Sequence, residues 1–153
     1  MSPLFRGTKT VNRQPVRIRR SEPRDYAGIE ALMAALELSY PAMDLSCFWV
    51  AEAGDAVLAG AELKEFQTCS LLSCVGVRED MQGLDIGCTL VEEVMRHARH
   101  DVYLFTLVPG FFRKAGFAEA GQLPRDLPPR SMYGCQNCNP GLCISMVRRR
   151  HDS

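Results

Sequence analysis

A chain of 153 residues, 46% hydrophobic and 24% charged, has the make-up of one folded domain rather than a disordered segment. Lys plus Arg and Asp plus Glu balance at 18 each, which argues against a global field drawing in nucleic acid. No apolar run approaches the ~18 residues of a membrane span and no apolar signal core follows the N-terminus, so the expectation is a cytoplasmic protein without a membrane partner, its seven cysteines mostly reduced.

Residues 1–15 read as a flexible basic leader, with Arg6, Lys9 and Arg13 and no acid. A single domain is expected over 16–153, with a Cys-rich C-terminal segment at 131–150. Val16 and Ile18 alternate with Arg17 and Arg19, which predicts a first half-buried strand ending at Arg20. Ser21 and Pro23 then start a helix, Ser21 as its cap, with Tyr26, Ile29, Leu32, Met33 and Leu36 on one apolar face. Residues 38–46 connect it to two strands, Phe48 to Ala53 and Ala56 to Phe66, joined at Gly54-Asp55 as an antiparallel hairpin. Cys69 to Val77 is the next strand. A polar turn with Gly83 and Gly87 follows, then a helix whose apolar residues are Leu90, Val91, Val94, Met95 and Ala98. Val102 to Leu107 is a strand, Pro109 opens a short amphipathic helix, Gly116 caps it, and Phe117 begins another strand. The proline-rich run Leu123 to Tyr133 leads through the cysteines to a closing strand over Ile144 to Arg150. Hairpins together with βα units predict an α/β (α+β) class, a mixed central sheet with helices on both faces.

Strand, glycine-bearing loop and helix from Val75 to Ala98 aim the first backbone N–H groups of a helix at the end of a strand, an arrangement suited to a phosphate. Gln82-Gly83-Leu84-Asp85-Ile86-Gly87 resembles the acetyl-CoA signature Arg/Gln-x-x-Gly-x-Gly/Ala of the GNAT superfamily of N-acetyltransferases. Gln82 and Gly87 match it, and Asp85 stands where the middle glycine is expected. Downstream, Phe111-Phe112-Arg113-Lys114-Ala115-Gly116-Phe117 is similar to the family's Phe-Tyr/Phe-x-x-x-Gly-Phe. The tail, Leu127-Pro128-Pro129, Cys135, Cys138, Cys143 and Met146, resembles that of short N-acetylglutamate synthases and related amino-acid acetyltransferases.

The resemblance implies the GNAT (acyl-CoA N-acyltransferase) fold and transfer of acetyl from acetyl-CoA to the amine of a small molecule in amino-acid metabolism, glutamate among the acceptors. Val75, Gly76 and Val77 would bond the pantetheine arm. Backbone N–H groups from Gln82, Gly83, Leu84, Asp85, Ile86, Gly87 and Cys88 would cradle the pyrophosphate, and Phe112 would border it. The family often dimerises, so a homodimer is an open expectation. Three positions depart from the family pattern. Leu71 replaces a glutamate common on the fourth strand, Ser73 stands where glutamate-acetylating relatives carry an arginine, and Phe112 replaces a frequent tyrosine acid. Taking the proton from the attacking amine then falls to a water chain or to Glu62, Glu65, Glu79 or Tyr103. Arg19, Arg20 and Ser73 are the candidates for contacting the acceptor.

Cys135, Cys138 and Cys143 have the spacing of a zinc site completed by His151, Cys88 or water, of a reversible disulfide, or of unligated thiols. Cys74, beside the expected thioester site, reads as core filler or as a nucleophile. Two rival functions stand beside the acetyltransferase: a catalytically weak or inactive CoA-binding, regulatory module, and a metal- or redox-linked interaction protein.

Overall fold

Alternating and near-continuous apolar runs build one seven-stranded sheet in the spatial order Arg17–Arg20, Phe48–Ala53, Ala56–Glu65, Ser70–Val77, Val102–Thr106, Ile144–Arg148, Ala118–Glu119. The computed structural model describes residues 10–11, 14–128 and 143–150. Its strands are β1 (Thr10–Val11), β2 (Gln14–Pro15), β3 (Arg17–Arg20), β4 (Phe48–Ala53), β5 (Ala56–Glu65), β6 (Ser70–Val77), β7 (Val102–Thr106), β8 (Ala118–Glu119) and β9 (Ile144–Arg148). Its helices are α1 (Tyr26–Ala35), α2 (Ile86–His97) and α3 (Pro109–Lys114). Part of the expected leader is paired, β1 lying antiparallel to β2.

One face of the sheet carries α2 and α3. Ile86, Leu90, Val91, Val94, Phe112 and Ala115 pack there on Ile18, Leu58, Leu72, Leu104 and Met146. The other face is covered by α1, whose Ile29, Leu32 and Met33 meet Phe48, Val50 and Cys74. Farther along that second face, Leu127 closes over Leu71, Tyr103 and Val147. Asp126 fixes this cover: its carboxylate accepts from the Thr68 N–H at 2.8 Å and the Thr68 hydroxyl at 2.6 Å.

Ser21 does not cap the first helix. Its hydroxyl donates to the Leu45 carbonyl at 2.7 Å, and the Glu22 N–H is met instead by Asp25 Oδ2 at 2.7 Å. Asp25 belongs to a larger knot. The Arg19 guanidinium spans Asp25 at 2.7 and 2.9 Å and Glu52 at 3.0 and 2.9 Å, and gives a further N–H to the Arg20 carbonyl at 3.1 Å. That geometry ties β3, β4 and the start of α1 through a residue with no donor to spare.

Arg19 holds the Asp25 and Glu52 carboxyls below their ordinary range, through hydrogen bonds opposed by partial burial. A depressed carboxyl contributes stability above its ordinary pKa and loses it as pH falls through the folded value. Arg19→Met is expected to cost about 3 kcal/mol near neutral pH, because it strands two shielded carboxylates. The gap from wild type should close as pH is taken below about 4. Urea unfolding of both proteins across that pH range checks it, and a gap independent of pH contradicts it.

Candidate active site

The sheet divides between its two parallel neighbours. β6 and β7 pair only at Ser70 with Val102 and Leu71 with Tyr103. Beyond those residues β6 stays with β5 as far as Val77 opposite Ala59, while β7 stays with β9 as far as Thr106 opposite Ile144. The edges from Leu72 to Val77 and from Leu104 to Thr106 therefore face each other without a ladder. Between them lies a cleft of about 400 Å³, lined on one side by Leu71 to Val75 and on the other by Leu104 to Val108. Leu38, Ser39 and Tyr40 wall it on the α1 face, and Phe112 on the α3 face. At its mouth Leu107 and Val108 are 56% and 60% exposed, an apolar rim suited to covering by a ligand.

A β-bulge shapes the β6 wall. The register steps from Gly60–Gly76 to Glu62–Ser73, one residue more on β6 than on β5, and Cys74 takes φ 53°. Leu72 and Val75 pack toward α2, whereas Cys74 joins the α1 cluster and Ser73 bonds to Glu62 beside it. Cys74 is buried, its Sγ lies 3.4 Å from the Leu38 carbonyl, and its thiol is pushed up to about 12, first by burial and then by Glu62. A thiol so protonated is a poor nucleophile, so the core-filler reading holds.

The loop after β6 leads into α2, whose start returns to the end of that strand. Gly83 has φ 85° and Asp85 φ 63°, and Asp85 is the residue immediately before α2. Its carbonyl accepts from the Thr89 N–H at 3.1 Å and the Thr89 hydroxyl at 2.9 Å. The N–H groups of Ile86, Gly87 and Cys88 therefore precede the helical ladder, with the positive end of the dipole behind them. Gly87 is required by close approach: a Cβ there would stand 3.2 Å from Val77 Cγ2 and 3.4 Å from Phe111 Cζ. The helix start is thus wedged between the end of β6 and α3, next to strand and helix residues that line the cleft, Val75 and Phe112. Gln82 closes the loop by donating from its side chain to the Val77 carbonyl at 3.0 Å. Leu84 is half exposed at the loop's crest.

Several residues singled out in the sequence stand elsewhere. Arg19 is saturated by Asp25 and Glu52 on β3, at the outer edge of the sheet, and is not available to a substrate carboxylate. Arg20, on the same strand, lies over the Trp49 ring at 5.8 Å. The Tyr103 hydroxyl meets Arg149 at 3.3 Å, and its ring is buried under Leu127, outside the cleft lining. Glu79 is exposed in a single 3-10 turn beyond β6. Glu65 accepts from the Ser70 hydroxyl and from the Arg99 N–H. Ser73 is in the cleft wall, as is Phe112, whose ring is edge-on to both Phe111 and Phe117. Cys143 is buried in the lining, while Cys135 and Cys138 lie outside the described residues. Among the described residues no group of three or more His, Cys, Asp or Glu is placed to hold a metal ion, so zinc gains no support.

One cluster becomes evident only in three dimensions. Glu62 is fully buried, and its Oε1 accepts from the Tyr40 hydroxyl and from the Ser73 hydroxyl at 2.7 Å. Its Oε2 accepts from the Asp44 N–H at 2.6 Å. The available sequence signal was a glutamate between Ala61 and Leu63 in a strand buried on both faces.

Residues 44–119, about half of the chain, match the family model described as an acetyltransferase (GNAT) domain. No curated protein matches the sequence significantly. The fold is similar to that of Neisseria gonorrhoeae N-acetylglutamate synthase complexed with coenzyme A and N-acetyl-glutamate, with TM-score 0.69 and 23% identity over 89% of this chain. The chain spans only 35% of that enzyme's length. A Mycobacterium tuberculosis protein in complex with CoA is similar over 86% of this chain and 98% of its own, with TM-score 0.69 and 20% identity. A GNAT-family acetyltransferase from Staphylococcus aureus gives TM-score 0.68 and 15% identity over 89% of this chain and 99% of its own.

The exposed Asp85 carboxylate belongs to the loop before α2, where the sequence motif leads one to expect a phosphate, and its positive φ is one that glycine adopts at lower cost. Like charges a few ångströms apart in water repel by about 1 kcal/mol, so Asp85→Gly is expected to tighten acetyl-CoA binding about fivefold. Isothermal titration of both proteins checks it; unchanged or weaker binding contradicts it.

Proposed function

Since the chain belongs to the GNAT acetyltransferases, we propose that it moves an acetyl group from acetyl-CoA to the amine of a small molecule held in the cleft between β6 and β7. The observation that carries this reading is the divergence of those strands, with the start of α2 wedged beside the opening. Acetyl-CoA supplies the activated thioester; the protein binds, orients and shields it. The unladdered edge at Val75, Gly76 and Val77 offers backbone groups to an amide-bearing arm. The loop from Gln82 to Cys88 offers N–H donors to phosphates, with Gly83 allowing its turn. Phe112, Leu107 and Val108 offer apolar cover.

The acceptor enters from the α1 side. Described residues there offer the hydroxyls of Ser39, Tyr40, Ser73 and Thr106 and the carboxylate of Glu37. An amino acid such as glutamate is the acceptor suggested by the N. gonorrhoeae complex with N-acetyl-glutamate. Among the described residues the lining has no Lys or Arg to meet a carboxylate. Glutamate should therefore be assayed beside amines that carry no acid. Cytoplasmic location, a homodimer and a single domain over 16–153 belong to the same proposal; no helix among the described residues is long and apolar enough to cross a membrane.

The test is coenzyme A thiol release from acetyl-CoA across amino acids, diamines and arylalkylamines, with acetyl-CoA affinity measured in parallel by calorimetry. Saturable release with at least one amine is expected. Binding without release from any amine favours a CoA-binding regulatory module. Absence of binding removes the cleft assignment altogether.

A further inference from the structure

Glu62 is a carboxylate in a place that is costly for one. Its side chain is fully buried, and burying a charge is expensive unless it is paired and hydrogen-bonded. The nearest cation, Lys64, is 3.8 Å from Oε2 and spends its ammonium on the Ala42 carbonyl at 2.6 Å and on the Tyr40 ring face at 5.1 Å. The remaining support comes from the Tyr40 and Ser73 hydroxyls and the Asp44 N–H. A neutral amide would hold the 38–46 connection to β5 with less desolvation cost. What a carboxylate adds is the capacity to take a proton.

Both hydroxyls bonded to Glu62 Oε1 belong to the cleft lining. Ser73 is the cross-strand partner of Glu62, and it precedes the bulge residue Cys74 in the opened part of β6. Other groups suited to taking a proton are engaged or displaced. Glu65 is bonded to Ser70 and Arg99, Tyr103 to Arg149, Glu79 is exposed beyond β6, and Glu37 is exposed at the rim.

We propose that Glu62 receives the acceptor amine's proton through the Ser73 hydroxyl, while Tyr40 holds the carboxylate in place. This inference rests on the acetyltransferase reading above. As the neutral amine attacks, the N–C bond forms and the C–S bond breaks, its electron pair leaving on sulfur as coenzyme A thiolate. The amine proton passes to Ser73 Oγ, and the Ser73 hydroxyl proton passes to Glu62 Oε1. Glu62 afterwards returns one proton to the released thiolate or to water, so protons balance over the cycle. Tyr40 serves as a fixed donor: burial, reinforced by its bond to Glu62, raises its phenol well above the ordinary range and keeps it protonated. The titratable or charged groups facing Glu62 are Tyr40 and Cys47 from the connection, Lys64 on β5 and Cys74 on β6.

The test uses the best acceptor from the amine panel and follows turnover against pH. A general base acts in its ionised form, so wild-type kcat should show an acidic limb that does not depend on the acceptor chosen. Glu62→Gln is expected to lower kcat about 100-fold or more, leave acetyl-CoA affinity unchanged and erase that acidic limb. A limb belonging to the acceptor's own amine survives in the variant and moves with the acceptor chosen. Ser73→Ala, which leaves Tyr40 and Asp44 on Glu62, should lose about tenfold or more in kcat at unchanged acetyl-CoA affinity. Should Glu62→Gln fail to fold, Ser73→Ala decides. A folded Glu62→Gln that keeps an acidic limb independent of the acceptor, or either folded variant within about threefold of wild-type turnover, overturns the relay and leaves the acetyltransferase reading standing. A wild-type protein that binds acetyl-CoA and releases no thiol with any amine overturns both.

Discussion

Everything at the candidate site follows from the parting of two parallel strands. Pairing of β6 with β7 stops after Leu71 and Tyr103, yet neither strand ends there. Each continues because it has a second partner: β5 holds β6, and β9 holds β7. The sheet is thus two halves joined along a short seam. Backbone donors and acceptors turned into the gap lack strand partners across it, an expense in a folded core unless a ligand or water meets them. The cleft is a consequence of topology before it is a matter of side chains. Its position fixes where α2 must begin, since Gly87 packs against Val77 on one side and Phe111 on the other.

Local strain gathers around this gap. Among the described residues, three that are not glycine have positive φ: Glu37, Cys74 and Asp85. Glu37 ends α1, where the Glu37 and Leu38 N–H groups reach back to Ala34 and Met33 at 3.1 and 2.8 Å. Glu37 and Cys74 line the cleft, and Asp85 immediately precedes α2. Glycine would sit in each conformation at lower cost. Side chains kept at such positions are the usual mark of a site whose shape is held by its surroundings. The loop also explains why two glycines of one motif have different reasons. Gly83 supplies a turn at φ 85°, whereas Gly87 supplies only the absence of a Cβ.

Element order was legible because period and punctuation are local properties. The hairpin at Gly54, the apolar stripe of α2 and the Gly116 cap at φ 90° lie where spacing puts them. What the residues alone left hidden depends on partners distant in the chain. Arg19 reads as a free cation at a strand end until Asp25 and Glu52 are folded against it. Ser21 reads as a cap until Leu45 offers its carbonyl. Tyr103 carries a phenol suited to proton transfer, but strand alternation turns it under Leu127, away from the cleft. The bulge on β6 has no sequence signature here, because its αL residue is a cysteine rather than a glycine. Without it, Cys74 would point toward α2 and the walls of the cleft would be assigned to the wrong residues.

That bulge begins directly after the residue that pairs with the buried carboxylate. An extra residue on β6 bends the strand and increases its twist, which favours divergence from β7. The same residue breaks the alternation of faces, so Ser73 and Cys74 both contact the α1 side. Ser73 meets Glu62 in the regular register that precedes the bulge, and Cys74 joins Tyr40 in the cluster beside it. A change that regularised β6 would turn residue 74 away from the α1 cluster while leaving the Ser73–Glu62 pair in register.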